Sequence, residues 1–179
     1  MLDNELIKAF YPIIKQGFID LGLLNVIVRQ AYQPVQQGTE TSPSVYFFKL
    51  FDKRYGSPEK LSFYDVGDDQ NKQIYRQLYE TTFQVSALSA QDPRNTNSLT
   101  SSDLVNLTSE ILQLDSAIQQ LEQNEIGILR ITDIRNTMFT DDRGQFEESP
   151  SFDFTLRHIQ DRLLDIDYIS TIESGLYRV

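Results

Sequence analysis

The sequence has no cysteine, no tryptophan and only one histidine among its 179 residues. Without cysteine the chain forms no disulfide, thiolate metal site or cysteine nucleophile. With one histidine it builds no metal site from clustered histidines, and a Ser-His-Asp triad is restricted to His158. Because no G-x-S-x-G motif accompanies that histidine, we interpret His158 as an ordinary strand or surface residue.

Long apolar runs and nucleotide-binding loops are also missing from the sequence. No run approaches the roughly 18 apolar residues of a transmembrane helix, and neither G-x-G-x-x-G nor G-x-x-x-x-G-K-S/T occurs. The acidic N-terminus leads us to expect no secretory signal peptide, so an intracellular or virion setting fits. With 40% hydrophobic and 23% charged residues, the chain is typical of a globular protein, and its length suits one domain over 1–179.

Basic residues are scarce: 16 Lys and Arg stand against 26 Asp and Glu, for a net charge of −10. The imbalance lies in 91–179, where 7 basic and 16 acidic residues give −9, against −1 in 1–90. Such a surface is poorly suited to binding nucleic acid by phosphate neutralisation or to binding anionic membranes. It suits solubility, or a surface past which DNA moves without sticking.

Apolar periodicity predicts a helix over 3–21. Asp3 is its expected N-cap and Gly22 its expected end, and Pro12 should kink or split it. Alternation then predicts a strand over 24–32. The proline and polar residues that follow predict a loop over 33–43.

Two long β patterns predict a hairpin arm over about 44–88. A strongly apolar strand at 44–51 is interrupted at 56–58, and a turn-rich segment at 67–72 separates it from the pattern at 74–88. Fifteen residues of straight strand would span roughly 50 Å, well beyond the usual strand length of about 5–6 residues. We therefore expect the arm to protrude beyond the core, with its tip near 67–72.

The remaining segments complete an α+β pattern. Thr100 or Ser101 should cap a helix, and Asp115 a second, short helix. The other predicted elements are a loop at 91–99, strands at 126–134 and 152–157, a polar loop at 136–150 and a closing strand at 175–179. This order predicts a mostly antiparallel, mixed β-sheet with helices packed on one face.

Clustered carboxylates are the remaining candidates for a metal site. They occur at Asp68-Asp69, Asp141-Asp142 and Glu147-Glu148. None has the spacing of a calcium-binding loop, and their turn-rich composition favours solvated loops. We expect no cofactor and no metal, although convergence of Asp141, Asp142, Glu147 and Glu148 would leave a metal-dependent hydrolase open as an alternative.

Several longer stretches resemble tailed-bacteriophage neck proteins of the tail-terminator class. The resemblance covers nearly the whole chain and is weakest at 52–73 and 160–175. It is carried by KAFYPIIKQGFIDLG (8–22), VRQAYQPVQQG (28–38), YETTFQVSALSAQDP (79–93), TSSDLVN (100–106), GILRITDIRNTMFTDDRGQFEESPSFDFTL (127–156) and YRV (177–179).

The resemblance implies a structural virion protein rather than an enzyme. Tail terminators form a ring, typically of six copies, on the last ring of the tail tube. The ring ends tube growth and offers a docking surface for the head connector, and DNA passes through its lumen. The implied partners are other copies of the chain, the tail tube protein, the head connector or adaptor and the sheath protein. Assembly would occur in the host cytoplasm, without a membrane.

Aromatic residues mark the expected contacts between subunits. Ten of the chain's twenty Phe and Tyr residues lie within 46–83, and one face of a sheet buries only part of such a set. Aromatic residues at turns or strand edges are the weakest candidates for burial in the core. On that basis we predict subunit contacts at Tyr55, Tyr64, Tyr75, Tyr79, Phe139 and Phe146. We further expect acids of the 91–179 half to face the lumen and repel phosphate, namely Asp141, Asp142, Glu147 and Glu148.

Two further alternatives remain from the sequence. One is another neck or baseplate component, such as a head-tail adaptor, which usually occurs in twelve copies where terminators occur in six. The other is a monomeric binding module without particular chemistry. The number of subunits in the assembly discriminates among these alternatives.

Overall fold

The structure is a computed structural model that describes residues 1–31, 42–68, 70–89, 98–140 and 146–166. Only the backbone is described for 138–140, 146, 147 and 166. Most of the predicted loops at 33–43 and 91–99, and the whole predicted strand at 175–179, lie outside these residues. The described elements are α1 (Asp3–Asp20), β1 (Ile27–Gln30), β2 (Ser44–Asp65), β3 (Gln70–Leu88), α2 (Ser101–Gln113), α3 (Asp115–Glu122), β4 (Gly127–Ile131), β5 (Arg135–Thr140) and β6 (Phe146–Ile166).

The strands form one mixed sheet with the order β1-β2-β3-β6-β4, and β5 also pairs with β6. β1 and β2 are parallel, and every other described pair is antiparallel. Three helices pack against one face of this sheet, which we call the helix side. The predicted α+β class with a mostly antiparallel, mixed sheet is therefore confirmed.

Helix α1 buries the predicted apolar face. Its side chains at Leu6, Phe10 and Ile14 are fully buried, and the Phe10 ring meets three phenylalanine rings of the sheet edge-on, with centroids 5.0–5.3 Å apart. Edge-to-face pairs at this spacing add to the gain from burial. The rings around Phe10 belong to Phe47, Phe83 and Phe154, one from each of the three central strands.

The ends of α1 differ in part from the prediction. Leu2, not Asp3, is the N-cap, and its backbone N–H donates to a carboxylate oxygen of Glu5 at 2.6 Å. Pro12 does not split the helix, which runs unbroken through it. Gly22 does follow the helix end as predicted, with φ at +77°, a backbone conformation that glycine adopts without steric cost.

Helix α2 begins at the predicted cap. The Asp103 backbone N–H donates to Thr100 Oγ1 at 3.0 Å, and the Thr100 N–H donates to the Asp103 carboxylate at 2.9 Å. This reciprocal pair satisfies two backbone donors at the helix start. Leu114 ends α2 and is the N-cap of α3, so it forms a corner between the two helices.

Strand β6 overturns two expectations. The predicted short strand at 152–157 is part of a strand of 21 residues, Phe146–Ile166. The predicted polar loop at 136–150 is mostly strand, since β5 pairs with the start of β6, and 141–145 lies outside the described residues. Polar composition suggested a loop, but the side chains at 135–137 of β5 are exposed. An exposed strand tolerates polar side chains because pairing with β6 satisfies its backbone.

The predicted hairpin of β2 and β3 has a third strand beside it. β2 and β3 pair from Ser44↔Leu88 to Asp65↔Gln70, with an irregularity at 56–58, where the interruption was predicted. β6 pairs with β3 from Ser86↔Ser151 to Asn71↔Ile166. We call the outer part of this three-stranded unit, residues 53–65, 70–79 and 158–166, the distal sheet. Its protrusion as an arm stays a prediction.

Candidate interaction surface on the distal sheet

The distal sheet is the most exposed part of the described fold. Every residue from 50 to 64 in β2 is exposed, whereas the same strand buries Val45 and Phe47 beneath α1. Side chains alternate between the two faces of a strand, so the helix-side face of the core continues outward into the distal sheet. There the face carries Arg54, Lys60, Tyr75, Tyr79 and Arg162 in place of apolar core residues.

Both edges of the distal sheet are open within the described residues. β1 pairs with β2 only at its start, Ser44 to Phe47, and β4 and β5 pair with β6 only up to Arg157. Segments 48–65 of β2 and 158–166 of β6 therefore pair with β3 on one side only, and neither has a partner strand on its other edge in the described part of the chain. Open edges present unpaired backbone groups that readily accept another strand.

The outer face, opposite the helices, exposes several large apolar side chains. Their exposed fractions run from 39% to 56%. A monomeric protein rarely leaves an apolar patch of this kind uncovered, so such a patch indicates a contact surface. It consists of Phe51, Tyr55, Leu61, Phe63, Ile159 and Leu163.

Three cations on the outer face have carboxylate partners, whereas the Lys53 ammonium lies 4.6 Å from the centroid of the Tyr55 ring. Arg76 donates two hydrogen bonds to Asp161, at 2.9 and 3.0 Å, and Arg157 contacts Glu80 at 3.0 Å. Lys72 binds both Asp65 and Asp68. The Asp161 carboxyl has a lowered pKa, because the hydrogen bond from Arg76 outweighs the cost of burial. Arg76 and Arg157 are thus each matched by one carboxylate, and Lys72 by two.

The helix side of the distal sheet differs, because its cations lack carboxylate partners among the described residues. The Arg54 guanidinium lies 5.5 Å from the centroid of the Tyr79 ring, and the Lys60 ammonium lies 5.3 Å from that of Tyr75. Arg162 is exposed and takes part in no described salt bridge. Ring faces attract cations but leave their charge unneutralised.

Arg54, Tyr75, Tyr79 and Arg162 line a groove between the distal sheet and the start of α1. The groove has a volume of about 1080 Å³. Its lining also includes apolar, amide and acidic side chains, among them Leu2, Leu164, Gln77, Asp3 and Asp52. The two carboxylates are both paired with Lys49, so Arg54 and Arg162 are the lining cationic side chains without a carboxylate partner among the described residues.

A polar chain joins the inner end of the groove to the core. Asp3 contacts Lys49 at 2.6 Å, and Lys49 contacts Asp52 at 2.6 Å. The Thr81 hydroxyl donates to Asp52 at 2.7 Å, so it must accept from His158 Nε2, which lies 2.9 Å away. Burial opposes the charge on Asp52, but hydrogen bonds from Lys49 and Thr81 outweigh it and lower the pKa of this carboxyl.

His158 is the buried end of this chain, with 3% of its surface exposed. Its ring stacks on Tyr79, with centroids 5.8 Å apart. Since Nε2 carries the proton, Nδ1 is an unprotonated acceptor, and it has no hydrogen-bond partner in the described structure. Burial is the main cause that lowers the pKa of His158, and the N-terminal ammonium adds to it against the opposing field of Asp52. A buried, neutral histidine was not expected from the sequence.

The four predicted contact tyrosines lie on both faces of the β2–β3 hairpin. Tyr75 and Tyr79 lie together in the groove. Tyr64 is 53% exposed near the tip, and Tyr55 belongs to the apolar patch on the outer face. Neighbouring residues of a strand point to opposite faces. The prediction grouped these tyrosines because they are close in sequence, but the fold places them on different faces.

The other predicted residues are described less fully. The backbones of Phe139 and Glu147 pair in the β5–β6 hairpin, as do those of Thr140 and Phe146, but the side chains at 139, 146 and 147 are not described. Glu148 is half-buried and pairs with Met138. Asp141 and Asp142 lie outside the described residues, so their contacts stay a prediction.

Within the described residues, no group of three or more His, Asp or Glu side chains is placed to hold a metal ion. No helix in that part of the chain is long and apolar enough to cross a membrane.

Comparison with known proteins identifies the family. A family model described as E217 gateway protein gp29 matches residues 5–168, which is most of the chain and includes the whole described sheet. No curated protein matches the chain. The chain belongs to the E217 gateway protein gp29 family and is accordingly a phage structural protein of the neck or head-tail connector type.

Proposed function

We propose that this protein forms a ring, of six copies, at the top of a phage tail tube. The ring ends tube growth, joins the tail to the head connector and lets DNA pass through its lumen. The gateway family supports the place in the neck, and the resemblance to tail terminators supports the finer role. The observation that carries the ring is the distal sheet, whose two edges are open within the described residues.

Strand polarity favours a ring over a two-fold dimer. β2 and β6 are each antiparallel to β3, so they run in the same direction. A β6 edge meeting the β2 edge of the next copy gives a parallel, head-to-tail contact. Such heterologous contacts close into rings when the rotation permits, whereas a two-fold axis pairs an edge with itself.

The apolar patch on the outer face supports further contacts with virion proteins. Burying side chains such as Phe51 and Leu163 would contribute roughly 25 cal/mol for each Å² of apolar surface removed from water. The tail tube protein, the head connector and the sheath protein are the proposed partners. Two of the cations beside the patch, Arg76 and Arg157, are paired with carboxylates, so apolar burial is the main contribution that the patch offers.

The experiment is a mass measurement by light scattering on a size-exclusion column, over a range of concentrations, alone and with isolated tail tubes. A mass of six subunits supports the terminator ring, and twelve would instead favour a head-tail adaptor. A protein that remains monomeric in both conditions would overturn the ring.

The lumen-facing acids form a separate part of this proposal. We expect DNA passage to slow when four acids are replaced by their amides, because the lumen wall would then repel the DNA phosphates less strongly. The four acids are Asp141, Asp142, Glu147 and Glu148. Infectivity and the rate of DNA ejection measure the effect. Unchanged ejection in the four-fold variant would contradict a lumenal position.

A further inference from the structure

The groove has a chemical complement on the surface of the same chain. Segment 101–129 contains five carboxylates and no Lys or Arg. Glu110 and Asp115 are exposed on either side of the α2–α3 corner, and neither takes part in a described salt bridge. Between them lies Leu114, an apolar side chain that is 51% exposed.

The two surfaces match in charge and in polarity. The corner presents an apolar tip flanked by carboxylates. The groove presents Tyr75 and Tyr79 beside Arg54 and Arg162, and the Lys60 ammonium lies next to it over the Tyr75 ring. Oppositely charged surfaces of this kind select a partner and fix its register more than they raise affinity. The net charge of −10 disfavours a nucleic acid as the occupant.

Sheet continuity brings these surfaces to the same side. α2 packs on β6 and β3, and α3 packs on β4, all on the helix side. When the β6 edge of one copy meets the β2 edge of the next, the α2–α3 corner of the first copy faces the side on which the next copy has its groove. This step rests on the proposed ring.

We propose that the groove receives the α2–α3 corner of a second copy, with Leu114 against Tyr75 and Tyr79. Glu110 and Asp115 then face Arg54, Arg162 and the neighbouring Lys60. The contact is heterologous, so each copy gives one corner and receives one. It would add a second, charge-selective contact to the edge pairing and define which neighbour is accepted.

Cross-linking tests the contact directly, because the chain has no cysteine of its own. The variant Lys60→Cys with Leu114→Cys, treated with a bismaleimide on isolated tail tubes, is expected to give a ladder of covalent oligomers. The matched control places the first cysteine on the exposed face of α1, as Lys15→Cys with Leu114→Cys, and is expected to give no ladder.

Charge reversal provides a second test. The groove variant Arg54→Glu with Arg162→Glu and the corner variant Glu110→Lys with Asp115→Asn should each self-associate at least tenfold more weakly than the original protein. An equal mixture of the two should recover association, because in alternating copies each corner meets a groove of opposite charge. Lys8→Glu with Lys15→Glu controls for net charge and should associate normally.

The outcomes separate this inference from the proposed ring. A ring of normal mass without a cross-linked ladder, or one unaffected by both charge variants, overturns the groove contact and leaves the ring standing. Absence of any ring on tail tubes overturns both. If Arg54→Glu with Arg162→Glu weakens DNA binding and leaves association unchanged, the groove serves nucleic acid and the proposal fails.

Discussion

Mild acid is expected to destabilise this protein through one side chain, His158. The ring is buried, stacked on Tyr79 and hydrogen-bonded through Nε2 to a Thr81 hydroxyl that is itself committed to Asp52. Protonation would place a charge on Nδ1, which has no described partner. Burial, aided by the N-terminal ammonium, therefore holds the pKa of His158 below its usual value near 6.5.

The sign and size of the effect follow from proton linkage. Above about pH 6.5 neither the folded nor the unfolded chain is protonated at His158, so stability does not depend on this group. Below that pH the unfolded chain binds a proton that the folded chain does not. The free energy of unfolding should then fall by up to about 1.4 kcal/mol per pH unit, until the pH reaches the folded-state pKa.

Urea denaturation measured between about pH 5 and pH 7.5 checks this slope. Because the chain has one histidine, no other histidine contributes, and carboxyls with lowered pKa, such as Asp52, lose their contribution only near and below about pH 4. His158→Phe and His158→Gln should both abolish the slope. A slope that persists in both variants would refute the assignment.

Three further predictions concern the packing and capping of the helices. An alanine Cβ at Gly17 would lie 2.7 and 2.9 Å from side-chain carbons of Ile111, so Gly17→Ala should destabilise the protein by about 1 kcal/mol, because the cost of overpacking exceeds the gain in helix propensity. In an Ile111→Ala background the same change should stabilise the protein, and a change in the free energy of unfolding with the same sign in both backgrounds would contradict the close packing. Thr100→Ala should cost about 1 kcal/mol by loss of the cap, whereas Ser102→Ala should change little, and equal melting temperatures for the two would argue against capping. Phe10→Ala should cost about 3–5 kcal/mol by urea denaturation, and a loss below about 2 kcal/mol would mean that the cavity collapses.

Local patterns in the sequence were sufficient for the helices and for the inner halves of the strands. Leu6, Phe10 and Ile14 recur at helical spacing and are buried in α1. Thr100 followed by Asp103 has the spacing of a cap and forms one. These features depend on neighbours within one turn of helix or one strand, so periodicity and capping residues are enough to locate them.

Patterns failed where the partner is distant in the chain. The polar stretch at 136–150 lacks a strand's apolar alternation, and its pairing depends on the start of β6. The alternation at 152–157 likewise marked only the buried part of β6, because both faces of the strand are exposed at 161–165. Exposed strands are specified by backbone pairing, which leaves little trace in side-chain hydrophobicity.

The sequence by itself determined the α+β class, the buried face of α1, the concentration of aromatic residues in β2 and β3, and the exclusion of cysteine chemistry. Only the tertiary structure decided which tyrosines share a face, which cations lack carboxylate partners and that His158 is buried against Thr81. Composition and periodicity are properties of consecutive residues. Grooves, open edges and charge pairs instead arise where β2, β3 and β6 meet, and the residues that meet there are up to about 100 positions apart in the chain.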